Sequence, residues 1–187
     1  MTSRFNEAFE FGYYKATKLL MDITGEEVYY NNFHYGLHEI GSQKTKRLDS
    51  LNGNISNILV ASTISVEERG SLGKSHLILS NRDVNILSSI AKNGKIQTDR
   101  SYDFAIDLNN ILTSSIVETM NEELNLAAFQ SDTAVEDYFD GDMSKVIQAG
   151  SGENTDLIYT NAIFFSFKKY PDLRPCLVWV LNGNLFL

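Results

Sequence analysis

Four small polar residues, Asp103, Asp107, Asn110 and Ser114, have the types and spacing to do chemistry together. They stand at i, i+4, i+7 and i+11, which on a helix is one stripe along the surface. The segment that opens with them, Asp103-Phe104-Ala105-Ile106-Asp107-Leu108-Asn109-Asn110, has helical periodicity. Phe104, Leu108, Ile111, Leu112 and Ile116 fall mostly on the opposite side, facing a core. An acid and an amide aligned on a rigid helix can grip a cation and position a water molecule. That use requires Asp107 and Asn110 to lie exposed side by side, with Leu108 and Ile111 buried beneath them. A merely solvated helix face has the same periodicity, so the spacing leaves both readings open.

A faint echo of the stripe lies 107 − 10 = 97 residues upstream. Asn6, Glu10 and Tyr13 take the places of Asp103, Asp107 and Asn110, and Thr17 that of Ser114. Both segments run about five turns and reach an acidic pair, Glu26-Glu27 and Glu122-Glu123. Each is followed by two β-type runs, Ile58 to Val66 with Lys74 to Leu79, and Leu157 to Phe167 with Cys176 to Leu187. A period this long is too large for a solenoid and points to a duplicated half-domain, about 4–94 and 101–187.

The elements that must carry these residues follow from pattern and punctuation. Residues 4–24 read as a helix stopped by Gly25. The aromatic-rich run Val28 to Leu37 suits a strand, and 41–57 a polar loop. Ile58 to Val66 and Lys74 to Leu79 read as a hairpin joined by Glu67 to Gly73. A helix over 81–93, capped by Ser80 or Asn81 and ended by Gly94, precedes the stripe helix over about 102–124. Residues 131–156 are acidic and Gly/Ser-rich around a short amphipathic piece, Val135 to Ile147. Pro171 and Pro175 both fall in the connection before the last β run, where a missing N–H does least harm.

Other motifs are weaker. Gly70-Ser71-Leu72-Gly73-Lys74-Ser75 ends like a phosphate-binding loop, but two residues separate its glycines where four are needed, and no helix follows. It reads as a hairpin turn. His34 and His38 have a spacing that suits zinc on a helix, yet Tyr29, Tyr30, Phe33 and Tyr35 favour a strand, so no metal site is expected. A serine-nucleophile signature is missing. Cys176, the single cysteine, reads as a small buried apolar residue.

Composition narrows the class. A chain of 187 residues with 43% hydrophobic and 21% charged residues suits one globular domain. A net charge of −8 disfavours nucleic acid as a partner. No stretch approaches the roughly 20 apolar residues of a membrane span, and the N-terminus turns acidic before any apolar run, so a cytoplasmic protein is expected.

The stripe and the element order together resemble the CheC/CheX/FliY phosphatases of bacterial chemotaxis. Their hallmark is an Asp or Ser, three residues, a Glu, two residues and an Asn on an exposed helix. Asp103, Asp107 and Asn110 match this spacing, with Asp in place of the Glu. The hairpin strand Leu72-Gly73-Lys74-Ser75-His76-Leu77-Ile78-Leu79, a short helix and a final β pair extend the likeness over most of the chain. CheX-type members carry the motif only on the second helix, and Tyr13 at the Asn position of the first makes this chain more CheX-like. The resemblance implies an α/β (α+β) fold: one pseudo-duplicated domain with long helices packed on a mainly antiparallel sheet. It also implies the homodimers that CheX relatives form.

The implied reaction is hydrolysis of the aspartyl phosphate on a CheY-type response-regulator receiver. The magnesium ion belongs to the receiver, and no cofactor of the chain's own is expected. Asn110 would hold the attacking water in line, and Asp107 would pair with the receiver's active-site lysine. Asp107 is one methylene shorter than the family Glu, so docking needs a closer backbone approach. Asp103 and Ser114 would support them. The alternatives are a non-enzymatic adaptor of the same fold, and a structural subunit whose stripe is only wet surface.

Overall fold

The computed structural model describes residues 2–40, 57–66, 70–91, 101–139, 146–148 and 156–186. A helix, α1 (Thr2–Thr24), and a strand, β1 (Val28–Glu39), lead to an antiparallel pair, β2 (Asn57–Val66) and β3 (Gly70–Ser80). A short helix, α2 (Asn81–Ile90), and a long one, α3 (Ser101–Leu124), precede three strands: β4 (Ala128–Phe139), β5 (Leu157–Phe167) and β6 (Cys176–Asn182). The strands form one sheet in the order β1-β5-β6-β3-β2-β4, and every neighbouring pair is antiparallel. This is the expected α+β fold with long helices on an antiparallel sheet.

The order contains an exchange. β1 pairs with β5 and β4 with β2, while β3 and β6 meet in the middle. The first strand after each long helix therefore pairs with a strand that follows the other long helix. The exchange brings β4 and β2 together beneath α3, which positions the candidate site.

Both long helices bury a stripe at i, i+3 and i+4 against one sheet face. From α1 come Phe5, Phe9, Tyr13, Ala16 and Leu20, and from α3 Phe104, Leu108, Leu112, Ile116 and Met120. Val60, Leu77, Leu79, Phe165 and Trp179 meet them from the sheet. The two helices approach closely at Gly12, where a Cβ would sit 3.1 Å from the Ile116 Cα. Each helix ends at a left-handed residue, Gly25 (φ 69°) after α1 and Asn125 (φ 54°) after α3, as αL C-caps require. The opposite sheet face is buried too, through Leu59, Ile78, Ile158, Val178 and Val180 with Val146 and Ile147. The central strands are thus apolar on both faces, which is why β5 and β6 are near-continuous hydrophobic runs.

Four local expectations change. α2 stops at Ile90 rather than near 93; it starts from Ser80, whose side chain and that of Asp83 form a reciprocal capping box. Gly70 to Gly73 belong to β3 rather than to a turn, and Gly73 is there because the β6 backbone runs where a side chain would go. β6 ends at Asn182, and Gly183–Phe186 form a 3₁₀ turn. Most of all, Ala128–Phe139 is an edge strand, which takes up the start of the stretch over 131–156 that reads as acidic and Gly/Ser-rich around a short amphipathic piece. The expected loop over 41–57 falls, apart from Asn57, outside the described residues.

His38 lies on β1 as a strand residue, and among the described residues no group of three or more His, Cys, Asp or Glu could hold a metal ion. Cys176 is buried, and burial pushes its thiol up to about 12. No helix among the described residues is long and apolar enough to cross a membrane.

His76, 1% exposed in the middle of β3, makes stability depend on pH. Burial, aided by the charge of Lys74 and opposed by a hydrogen bond with the Val178 backbone, lowers its pKa from 6.5 to about 3. The unfolded chain binds this proton from about pH 6.5 downwards, but the folded protein does not until about pH 3. Stability is therefore intact above pH 6.5 and lost progressively as pH falls, by about 2 kcal/mol at pH 5 from this group. Urea unfolding at pH 7 and pH 5 should show a pH-induced loss about 2 kcal/mol smaller in His76→Gln than in the wild type; equal losses would assign the pH dependence elsewhere.

Candidate functional site on the third helix

The stripe predicted from spacing exists on α3. Asp103 and Ser114 are exposed, but Asp107 and Asn110, expected to lie exposed side by side, are both only half-buried, on the same side of the helix. Leu108 is buried beneath them, as expected, but Ile111 is only half-buried. Among the described residues no hydrogen bond or ion pair holds Asp103 or Asp107, so both carboxylates are open to a partner. Asn110 is different. Its Oδ1 accepts hydrogen bonds from Gln130 Nε2 at 2.7 Å and from Thr133 Oγ1 at 2.8 Å.

Those two donors belong to β4 and reach Asn110 because of a bulge. Ser62 pairs with Thr133 and Thr63 with Ser131, so Asp132 is an extra residue, and it adopts φ 45°. In a regular strand, residues three apart face opposite sides. The bulge lets Gln130 and Thr133 both face α3.

Beneath them lies a buried polar network. Asn109, fully buried, donates from Nδ2 to Ser62 Oγ at 2.6 Å, and Gln130 Nε2 donates to the same oxygen at 2.8 Å. Ser62 Oγ and Thr133 Oγ1 are 2.9 Å apart, and Ser114 donates to Gln130 Oε1 at 3.0 Å. Thr113 joins Asn109 Oδ1 at 3.4 Å and Ser75 at 2.8 Å. Sequence reasoning missed Asn109, Ser62, Gln130 and Thr133. The one available signal was the polar pair Asn109-Asn110, since Asn109 falls on the side of the helix expected to be apolar.

The echo on α1 is built otherwise. Tyr13 is fully buried and donates to Asn161 Oδ1 at 2.7 Å, and burial holds its hydroxyl well above the usual tyrosine range. Glu10 is exposed but already accepts from Tyr30 at 2.6 Å and Asn32 at 3.0 Å. Burial and that bond to Glu10 push the Tyr30 hydroxyl up to about 12. Asn6 accepts from Tyr159 at 2.6 Å. A cleft of about 360 Å³ opens beside these groups, lined by Asn6, Glu7, Glu10, Phe11, Asn32 and Asn161. It offers acids and amides, but no amide at the Asn110-equivalent position.

No family model matches the sequence, and no curated protein does. Solved structures do match. FliY from Thermotoga maritima is 14% identical and superposes with a TM-score of 0.68, over 98% of this chain and 90% of its own. The chemotaxis protein CheX from Desulfovibrio desulfuricans is 11% identical with a TM-score of 0.52, over 93% and 97%. The chain has a CheC/CheX/FliY-like fold. A FliG–FliM complex from H. pylori also contains this fold, at 8% identity and a TM-score of 0.55, over 97% of this chain and 94% of that one. At such identities the CheC/CheX/FliY-like fold is what is shared, and a shared fold does not by itself establish an activity.

Proposed function

We propose that the protein docks a phosphorylated CheY-type receiver domain against α3 and hydrolyses its aspartyl phosphate. The observation that carries this reading is the α3 stripe. Two carboxylates that are unpaired among the described residues, Asp103 and Asp107, sit on the same rigid helix as an oriented amide, Asn110, in a CheC/CheX/FliY-like fold. The receiver's own magnesium neutralises the phosphoryl oxygens, so the phosphatase contributes chiefly position. Asp107 meets the receiver's lysine, Asn110 holds the water, and Asp103 and Ser114 support them. Tyr13 in the amide's place on α1 leaves one motif helix, as in the CheX type, and we read the exchanged halves as pseudo-repeats of one domain. Homodimerisation and a cytoplasmic location belong to the same reading.

A second reading has its own support: an adaptor that binds the receiver, or a motor component, without hydrolysis. Asn110 Oδ1 is already occupied twice, Asp107 is shorter than the family Glu, and the FliM middle domain from H. pylori shares the fold. Incubation with a phosphorylated receiver, following phosphate release, separates the two. Accelerated release supports the phosphatase, and binding with unchanged phosphate lifetime supports the adaptor. With neither, the stripe is wet surface.

Asp107 sharpens the test. Asp107→Asn keeps the size and removes the charge, so affinity for the receiver should drop about tenfold, the worth of one charge-assisted hydrogen bond. Asp107→Glu restores the usual reach and should keep or raise the hydrolysis rate. Unchanged affinity and rate in both variants would leave Asp107 without a role.

A further inference from the structure

Asn110 is held by donors that all point one way. Ser62 Oγ accepts from two N–H groups, Asn109 Nδ2 and Gln130 Nε2, so its own proton is free for Thr133. Thr133 in turn donates to Asn110 Oδ1, where Gln130 Nε2 also donates. Ser114 donates to Gln130 Oε1, so that amide carries its oxygen toward Ser114 and its nitrogen toward Asn110. An Asn110 amide turned over would set its Nδ2 against the Gln130 Nε2, two donors in contact. Among the described residues nothing engages the Asn110 Nδ2.

We propose that Asn109, Ser62, Thr133 and Gln130 are positioning residues, a directed hydrogen-bond relay that locks the Asn110 amide so that Nδ2 is the atom α3 offers a partner. The inference rests on the reading of α3 as the receiver-docking face, and it specifies how that face works. Asn110 meets the partner as a donor. It engages an oxygen with a free lone pair, on the attacking water or the phosphoryl group, and it does not take a proton from that water. The bulge at Asp132 is what brings both β4 donors to it. Because relay members lie on β2, α3 and β4, the lock also requires the strand exchange.

Two variants probe the relay without removing Asn110. Gln130→Glu replaces the N–H donor by an acceptor, which favours Nδ2 turning inward. Thr133→Val removes the second donor at nearly constant volume. The side-chain amide signals of Asn110 and Gln130 are followed by NMR in the free protein, with melting temperature as a check on folding.

In the wild type the Asn110 amide protons should exchange quickly with water while those of Gln130 are protected. In Gln130→Glu the Asn110 protons should become protected about tenfold or more, the exchange protection of roughly one hydrogen bond. Receiver dephosphorylation, or affinity for a beryllofluoride-loaded receiver, should fall by a similar factor. Thr133→Val should loosen the lock and give a smaller loss. If the Asn110 protons are already protected in the wild type, both amides are turned over and the proposal is overturned. It is overturned as well if Gln130→Glu folds normally and leaves Asn110 exchange unchanged. A wild type that shows the expected exchange but neither binds nor dephosphorylates a receiver keeps the lock and refutes the functional reading.

Discussion

Asn110→Ala should lower receiver dephosphorylation by about a hundredfold while the protein remains folded. The rate effect follows from losing one pre-positioned hydrogen-bond donor at the reacting group, typically worth two to three orders of magnitude. The effect on stability is smaller. Truncation leaves Gln130 Nε2 and Thr133 Oγ1 without their shared acceptor, at a half-buried position that water can reach. The cost is about 1 kcal/mol, read as a shift of the urea midpoint. Asn110→Asp is the informative companion. It preserves shape and both inward bonds but turns an acceptor outward, so a donor role predicts that it fails nearly as badly. An Asn110→Ala protein with the wild-type rate would place the chemistry at another residue. If the wild type has no turnover, the same substitution should weaken receiver binding about tenfold, as expected of an adaptor losing one charge-assisted contact.

Gly73→Ala should destabilise the protein by about 4 kcal/mol, or prevent folding at ordinary temperature. Gly73 has φ 147°, a backbone conformation L side chains rarely adopt. A Cβ built there would stand 2.1 Å from the Val180 carbonyl oxygen and 2.7 Å from the Leu181 Cα. Both are backbone atoms of β6, the partner of β3 at the centre of the sheet, so neither can swing aside. Backbone strain and overpacking add at one site. Chemical denaturation of the purified variant measures the loss, and a change below about 1 kcal/mol, within the range of an ordinary surface substitution, would mean that the β3–β6 pairing accommodates a side chain. The receiver reaction is not the readout here, because Gly73 is a β3 residue and not a member of the α3 stripe.

Much of this architecture was legible in order and period. The long helices show themselves because Phe5, Phe9, Tyr13 and Leu20, and later Phe104, Leu108, Leu112 and Ile116, recur at helical spacing. β5 and β6 show themselves because central strands buried on both faces are near-continuous apolar runs, and β2 and β3 through shorter ones such as Ile58-Leu59-Val60 and Leu77-Ile78-Leu79. β4 hides for the converse reason. It lies at an edge, and its site-facing positions carry Gln130 and Thr133 instead of apolar residues. Its bulge at Asp132 then breaks the alternation that would reveal a strand.

The sequence by itself determined the α3 stripe, because helical period is a local property and Asp103, Asp107, Asn110 and Ser114 share one segment. Only the tertiary structure decided which atom of Asn110 faces outward. That choice depends on Ser62, 47 residues before Asn109, and on Gln130 and Thr133, 20 and 23 residues beyond Asn110. These side chains converge only because β4 crosses to pair with β2 and a bulge turns both β4 residues inward. Hydrogen bonds between such distant positions leave no period in a chain, since each partner is chosen by where the backbone brings it.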